Sequence, residues 1–163
     1  MRTFFYFVLF AGMVSCKDSG KGDIDPRVLA FPQFSMQLLD STHIINTRDI
    51  AAGIPTVVMY FSPDCKFSRQ QTERIISNYG ALQHINFYMC SSSSLNKLNA
   101  FSKHYQLNRF NNITVGRDYN LFFQEQLKVP SYPWLFLYAA DKKLKRIITG
   151  STEVKTILDM ING

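Results

Sequence analysis

The sequence has few of the residues that bind metals or nucleic acids. Its three histidines, His43, His84 and His104, have no metal-like spacing to one another or to a cysteine. We therefore predict neither a metal site nor a cofactor. The net charge of +6 is modest. The basic cluster from Lys142 to Arg146 is short and strand-like, which argues against a nucleic-acid partner.

Apolar runs are short as well. Residues 4–11 (FFYFVLFA) cannot cross a bilayer as a permanent helix, but after Arg2 they are typical of a secretory signal peptide. Cys16 then follows Met-Val-Ser directly, and this resembles the bacterial lipoprotein signal, although Met13 replaces the usual leucine. The resemblance implies a lipoprotein signal peptide over residues 1–15 and a lipid-modified Cys16. An ordinary secretory leader with an incidental cysteine is the alternative.

The rest of the chain has the length of one compact domain. Residues 16–30 are predicted to hold the lipidated cysteine and a flexible polar tether, which includes KDSGKGD after Cys16. Residues 31–163 are predicted to form the domain. The predicted location is therefore the bacterial cell envelope, on the periplasmic side, with the membrane as a partner through the N-terminal lipid.

Hydrophobic patterning predicts an α/β fold. The apolar run at 56–61 is typical of a central strand covered on both faces, and Pro63 ends it. A helical pattern follows at 65–79, with Gly80 as its predicted end. The other predicted elements are strands at 34–39, 43–46 and 85–90, helices at 95–107 and 118–127, a hairpin at 133–138 and 144–149, and a last helix that is capped by residues 151–154 (STEV) and ends near Ile161. A mixed central sheet with helices on both faces follows from this order.

This order resembles that of the thioredoxin superfamily. Cys65 stands where the central strand meets the next helix, and residues 129–137 (VPSYPWLFL) resemble the family's cis-proline loop and the strand after it. Residues 31–34 (FPQF) and 53–58 (GIPTVV) are similar to membrane-tethered thiol-disulfide oxidoreductases of the TlpA or redoxin type. The resemblance implies a thioredoxin-like three-layer sandwich over most of the mature chain.

The resemblance also implies a site. Cys65 would be the nucleophile, because the N-terminus of a helix offers unpaired N–H groups and the positive end of the macrodipole to a thiolate. Of the charged neighbours, Arg69 would favour the thiolate and Asp64 would oppose it. A cis peptide bond at Pro133 would expose the backbone of Tyr132, so these two residues would dock an extended substrate chain.

One family residue is missing. Ser68 stands where the C-x-x-C motif has its second cysteine, so a mixed disulfide would lack its internal release step. We expect the Ser68 hydroxyl to donate a hydrogen bond to the Cys65 thiolate. Cys90 ends a predicted neighbouring strand, and three roles remain open for it: a displaced resolving thiol, a structural disulfide with Cys65, or a buried unpaired cysteine.

Two functions fit these residues. The first is thiol-disulfide exchange by an oxidoreductase or isomerase-like enzyme with a single active thiol, acting on envelope protein thiols or disulfides or on small thiols. The second is a non-catalytic module that uses the cis-proline groove to bind a protein or peptide, since fold alone does not determine function. The Pro63-Asp64 pair, where active family members usually have an aromatic residue before the cysteine, favours the second.

Overall fold

Short apolar runs form the strands, and these pair into one seven-stranded sheet in the computed structural model, which describes residues 24–163. The sheet order is β2-β1-β5-β4-β3-β6-β7. Strands β3, β4 and β5 are parallel, and the other pairings are antiparallel. The strands are β1 (Ser35–Leu38), β2 (Ile44–Asn46), β3 (Thr56–Tyr60), β4 (Asn86–Ser91), β5 (Ile113–Arg117), β6 (Trp134–Tyr138) and β7 (Leu144–Thr149).

One face of the sheet is covered by helices. These are α1 (Lys66–Ser77), α2 (Tyr79–Leu82), α3 (Leu95–His104) and α4 (Val154–Asn162). Helices α1 and α3 connect parallel strands that advance in one direction across the sheet, so right-handed crossovers place both on the same face. Their apolar side chains join those of α4 in one core cluster, which includes Ile75, Leu98, Phe101 and Ile157.

Irregular chain covers the opposite face. The connection from β5 to β6, residues 118–133, contains a single π-helical turn (Phe122–Gln126) and is called the crossover segment below. Its Phe122 and Phe123 pack with Val28 and Phe34 of the N-terminal part in a second core cluster. The predicted α/β class with a mixed sheet between two layers is thus confirmed, with the second layer mostly non-helical.

The structure adds detail at three of the predicted boundaries. The folded part begins before residue 31, because Val28 is 2% exposed and lies in the core. Gly80 does not end a helix: α1 ends at Ser77, and Gly80 lies inside the short helix α2. Within the segment 151–154 that was predicted to cap the last helix, Glu153 is the N-cap of α4 and makes no side-chain capping bond, and the Ser151 hydroxyl accepts a hydrogen bond from Arg74.

Strand β5 has no counterpart among the predicted elements. Its sequence, ITVGR, holds a glycine and two polar residues, a composition that weakens any strand signal. Gly116 is required by close approach, since a Cβ there would lie 2.5 Å from Cγ of Met36 and 2.7 Å from the carbonyl oxygen of Gln37. The strand therefore depends on its neighbours in the sheet more than on its own residues.

No helix within residues 24–163 is long and apolar enough to cross a membrane. The predicted signal peptide, Cys16 and residues 17–23 of the predicted tether lie outside the described residues.

Candidate functional site

Cys65 lies where β3 turns into α1. All five residues of β3 are buried, and a turn follows that is closed by the Cys65 N–H donating to the carbonyl of Ser62 at 3.0 Å. Cys65 is the N-cap residue of α1, and its half-buried thiol makes no capping hydrogen bond. The first N–H groups of α1 therefore have no side-chain cap and favour negative charge close to the thiol.

The thiol faces the loop before β6. Its Sγ donates a hydrogen bond to the carbonyl oxygen of Tyr132 at 3.4 Å, and the Tyr132–Pro133 peptide bond is cis, as predicted. Cys65, Tyr132 and Pro133 were predicted for the site and are thus brought together, although Cys65 and Tyr132 are 67 residues apart in sequence. The half-buried sulfur and the backbone of the half-buried Tyr132 lie side by side.

The negative charge of Asp64, next to Cys65, is paired. The carboxylate of Asp64 binds Nζ of Lys97, from α3, at 2.6 Å, and both side chains are exposed. The Arg69 guanidinium donates to the carbonyl of Pro63 at 3.1 Å. Lys97 therefore offsets the negative charge that was expected to oppose the thiolate. Sequence reasoning missed Lys97, because no local pattern links residues that are 33 positions apart.

Ser68 has a different partner from the one expected. Its side chain is fully buried, and its Oγ accepts a hydrogen bond from the Ser62 N–H at 3.3 Å. Among the hydrogen bonds of the described residues, none joins Ser68 to the Cys65 thiol. The hydroxyl points into the protein and holds the turn that leads to Cys65, because α1 turns position 68 inward.

Cys90 is fully buried in β4, opposite Tyr60 of β3 in the strand register. Both Cys65 and Cys90 are free thiols, so no disulfide joins them in this structure. Burial, together with the negative charge of Asp118, raises the pKa of Cys90 well above its usual range. In this structure Cys90 is therefore a buried, unpaired thiol.

Aromatic rings pack against the side chain of Tyr132. The ring of Tyr60 lies 5.3 Å from that of Tyr132 and stacks on Phe123 at 4.6 Å. The amide of Gln124 also donates to the Tyr132 hydroxyl at 3.1 Å. No sequence signal connected the π-helical turn to Tyr132.

Metal ligands do not converge in the part of the chain that the structure describes, where no three His, Cys, Asp or Glu side chains are grouped to hold an ion. The arrangement at Cys65 is that of a half-buried thiol beside the backbone carbonyl of Tyr132. Its chemistry is that of a thiol.

Solved structures share this fold. A secreted disulfide oxidoreductase of Mycobacterium tuberculosis, homologous to Escherichia coli DsbE, matches with a TM-score of 0.65 and 18% identity over 80% of this chain and 95% of that chain. DsbF of the same organism matches with a TM-score of 0.67 and 16% identity over 84% and 96%. A thioredoxin-like protein from Porphyromonas gingivalis matches with a TM-score of 0.63 and 19% identity over 80% and 91%.

These likenesses define the class of fold, which is thioredoxin-like α/β, as the sequence predicted. Neither a protein-family model nor a curated protein matches the sequence. The activity therefore has to be argued from the site.

Proposed function

We propose that this protein carries out thiol-disulfide exchange with Cys65 as its single nucleophile. The observation that carries the proposal is the placement of a half-buried thiol at the start of α1, 3.4 Å from the carbonyl of Tyr132. Helix N-termini favour thiolate, the attacking form. The fold is shared with proteins named as disulfide oxidoreductases, which supports the same class of reaction.

The chemistry needs no group beyond thiols and disulfides. The Cys65 thiolate attacks one sulfur of a substrate disulfide, a new S–S bond forms to that sulfur, and the second substrate sulfur leaves as a thiolate that takes a proton from water. Release then requires another thiolate, which attacks the substrate sulfur of the mixed disulfide and expels Cys65 again as a thiolate. Each exchange conserves the number of disulfides, so the reaction is shuffling unless an outside reductant is added.

The docking edge sets the class of substrate. An extended chain can pair with the backbone of Tyr132 in the manner of an added strand, with its sulfur delivered to Cys65. We infer that the substrates are envelope proteins with accessible thiols or disulfides, or small thiols. Ser68 cannot release the mixed disulfide as a second cysteine would. A small thiol can therefore serve as the external thiol that releases it.

The location forms part of the proposal. The N-terminal sequence supports export and lipidation at Cys16, which would hold the domain at the membrane surface of the cell envelope on the periplasmic side. Growth with labelled palmitate tests this, with label expected on the wild type and lost in Cys16→Ser. Label that persists in the variant would refute lipidation at this residue.

Trapping of adducts tests the exchange reaction. Cells are quenched in acid, and envelope extracts are compared by non-reducing electrophoresis and mass spectrometry for the wild type, Cys65→Ser and the control Cys90→Ala. Adducts with proteins or small thiols are expected in the wild type and the control, and are expected to vanish in Cys65→Ser. A Cys65 that stays unmodified under oxidising and reducing conditions would refute exchange.

A peptide-binding module without turnover is the second candidate. The observation that favours it is the inward position of Ser68, with both thiols free and Cys90 fully buried. In that case the wild type and Cys65→Ser would bind an extended peptide equally well, and neither would form adducts. Isothermal titration with one cysteine-free peptide and one disulfide-containing peptide separates the two functions.

A further inference from the structure

The crossover segment holds the one carboxylate that is buried among the described residues. Asp118 is 0% exposed, and its backbone N–H donates to the carbonyl of Ser91 at the end of β4 at 2.9 Å. Burial of the carboxyl raises the pKa of Asp118, although hydrogen bonds from Phe123 and Phe122 lower it. A buried charge needs strong partners to be tolerated, so its position calls for an explanation.

Both oxygens of this carboxylate are bound to the backbone of the crossover segment. Oδ1 accepts from the Phe122 N–H at 2.9 Å, and Oδ2 accepts from the Phe123 N–H at 3.0 Å. These are the first two N–H groups of the π-helical turn, which have no earlier backbone carbonyl of that turn to bind. Asp118 therefore fixes the start of the turn through two hydrogen bonds, one to each carboxylate oxygen.

The π-helical turn is linked to Tyr132 by two sets of contacts. The Phe123 ring stacks on Tyr60 with an interplanar angle of 16°, and Tyr60 lies against the Tyr132 ring. The next residue, Gln124, binds the Tyr132 hydroxyl. Tyr132 itself presents its carbonyl to Cys65. A continuous set of contacts thus leads from the buried carboxylate to the edge beside the thiol.

The hydroxyl of Tyr60 is buried near the side chains of Ser92 and Tyr132, and within residues 24–163 no hydrogen bond satisfies it. Burial is also the main cause that raises the pKa of Tyr60, and the nearby charge of Asp118 acts in the same direction. The rings of Phe123, Tyr60 and Tyr132 pack in sequence, and a displaced turn would disturb this packing.

We propose that Asp118 is a positioning residue for substrate docking: its carboxylate fixes the π-helical turn, and the turn holds the Tyr132 backbone in register with Cys65. This inference rests on the proposed exchange function. Asp118 touches neither substrate nor the reacting sulfur and acts only through Phe123, Gln124 and Tyr132. The competing explanation is a helix-capping residue that adds stability and nothing else.

Two rates on one protein separate these explanations. Alkylation of Cys65 by iodoacetamide needs no docking, whereas mixed-disulfide formation with an extended peptide disulfide does. Asp118→Asn keeps one acceptor oxygen and loses the other. Its peptide reaction is expected to fall about tenfold, the ratio that corresponds to one charge-assisted hydrogen bond. Its alkylation rate is expected to stay within about twofold of the wild type, because the start of α1 is unchanged.

The matched control is Asn112→Ala. The Asn112 amide donates to the carbonyls of Leu82 and Ile85 at 2.8 and 2.7 Å, so this variant loses two side-chain bonds to backbone, against the one lost in Asp118→Asn. It lies just before β5, at the end of that strand remote from Asp118. Stability should fall in both variants, but the peptide rate should fall only in Asp118→Asn. Equal loss of both rates in Asp118→Asn, or no loss of either, overturns the proposal.

Two further measurements keep the test decisive. If Asp118→Asn does not fold, Gln124→Ala replaces it, because it removes only the exposed bond to the Tyr132 hydroxyl; its peptide rate should fall about threefold, as expected for one neutral bond. If the wild type forms no peptide adduct, the exchange function fails. Amide hydrogen exchange then tests whether Asp118 positions the Tyr132 loop. Residues 122–133 should lose protection in Asp118→Asn and keep it in Asn112→Ala. Equal protection in the two variants overturns the proposal.

Discussion

The two thiols of the described domain sit at the ends of adjacent parallel strands but in opposite environments. The chain leaves the sheet after β3, and Cys65 lies beyond the strand, half-buried at the start of a helix. Cys90 is still inside β4 and has no exposed surface. A difference of a few residues in where the strand ends separates a thiol that can react from one that packs as a small apolar side chain.

Their electrostatic surroundings differ in the same sense. Cys65 faces unpaired helix N–H groups, and the one carboxylate next to it in sequence is bound to Lys97. Cys90 faces the buried Asp118, and both burial and this charge raise its pKa. Reactivity in this fold therefore depends on where a thiol lies and on what charge it faces, so two thiols in one chain need not act together.

The largest expected effect is in native alkylation. Cys90 can react only when the core opens, so Cys65 should be modified more than about a thousandfold faster, given typical opening free energies of core strands. Mass spectrometry of peptides after timed iodoacetamide pulses measures both rates in one sample, and denaturant should make them similar. Comparable rates in the native protein would contradict the assignment of Cys90 to the core.

The reverse order is expected for stability. Cys90→Ala leaves a small void in a close-packed core and should lower the free energy of unfolding by roughly 1–2 kcal/mol. Cys65→Ala should change it by less than about 0.5 kcal/mol, because the thiol is half-buried and makes one weak bond. Urea denaturation of the two variants provides the comparison. A larger loss in Cys65→Ala would mean that the site thiol has a structural role.

Ser68→Cys changes the comparison by adding a thiol one helical turn after Cys65. We expect an internal disulfide to form and the yield of trapped adducts to fall, since release becomes intramolecular. The free energy of unfolding of the reduced protein should drop by about 1 kcal/mol, because sulfur accepts the Ser62 N–H bond poorly. Ser68→Ala is the control, with the same loss of stability and unchanged adducts. Adducts that persist in Ser68→Cys would show that release is not limited by the second thiol.

The smallest effect is at alkaline pH. Cys90 keeps its proton when folded but ionises when unfolded above roughly pH 8.5, so the unfolded state binds fewer protons and wild-type stability falls as pH rises. Cys90→Ala lacks this fall. The difference in the free energy of unfolding between the wild type and Cys90→Ala should therefore narrow by about 1 kcal/mol when the pH rises by about one unit above roughly 8.5. Parallel pH profiles would mean that Cys90 titrates normally.

Local signals made part of this site predictable. The apolar run before Pro63 predicted β3, and the cysteine after it fell at the start of α1 as expected. The resemblance of residues 129–137 to the cis-proline loop of the thioredoxin superfamily implied the cis bond at Pro133 and the position of Tyr132 beside Cys65, and both are present. The strand and the start of the helix depend on neighbours in sequence, on proline and on continuous apolar runs, which a single chain displays directly.

The rest depended on contacts between distant residues. Ser68 was assigned to the thiol, but the inward face of α1 gave its hydroxyl to the Ser62 N–H. The pairing of Asp64 with Lys97 depends on how α3 lies beside the loop. Strand β5 was not predicted, because its residues form a strand only between β1 and β4. These are tertiary effects that override local preference.

The glycine in β5 limits the order in which this protein can change during evolution. Any side chain at Gly116 would collide with the side chain of Met36 and with the backbone of Gln37. A substitution there could persist only after Met36 had become smaller and β1 had shifted outward, so the acceptable changes form a sequence of steps with a required order. The N-terminal hairpin and the strand beside Cys90 are therefore expected to diverge together.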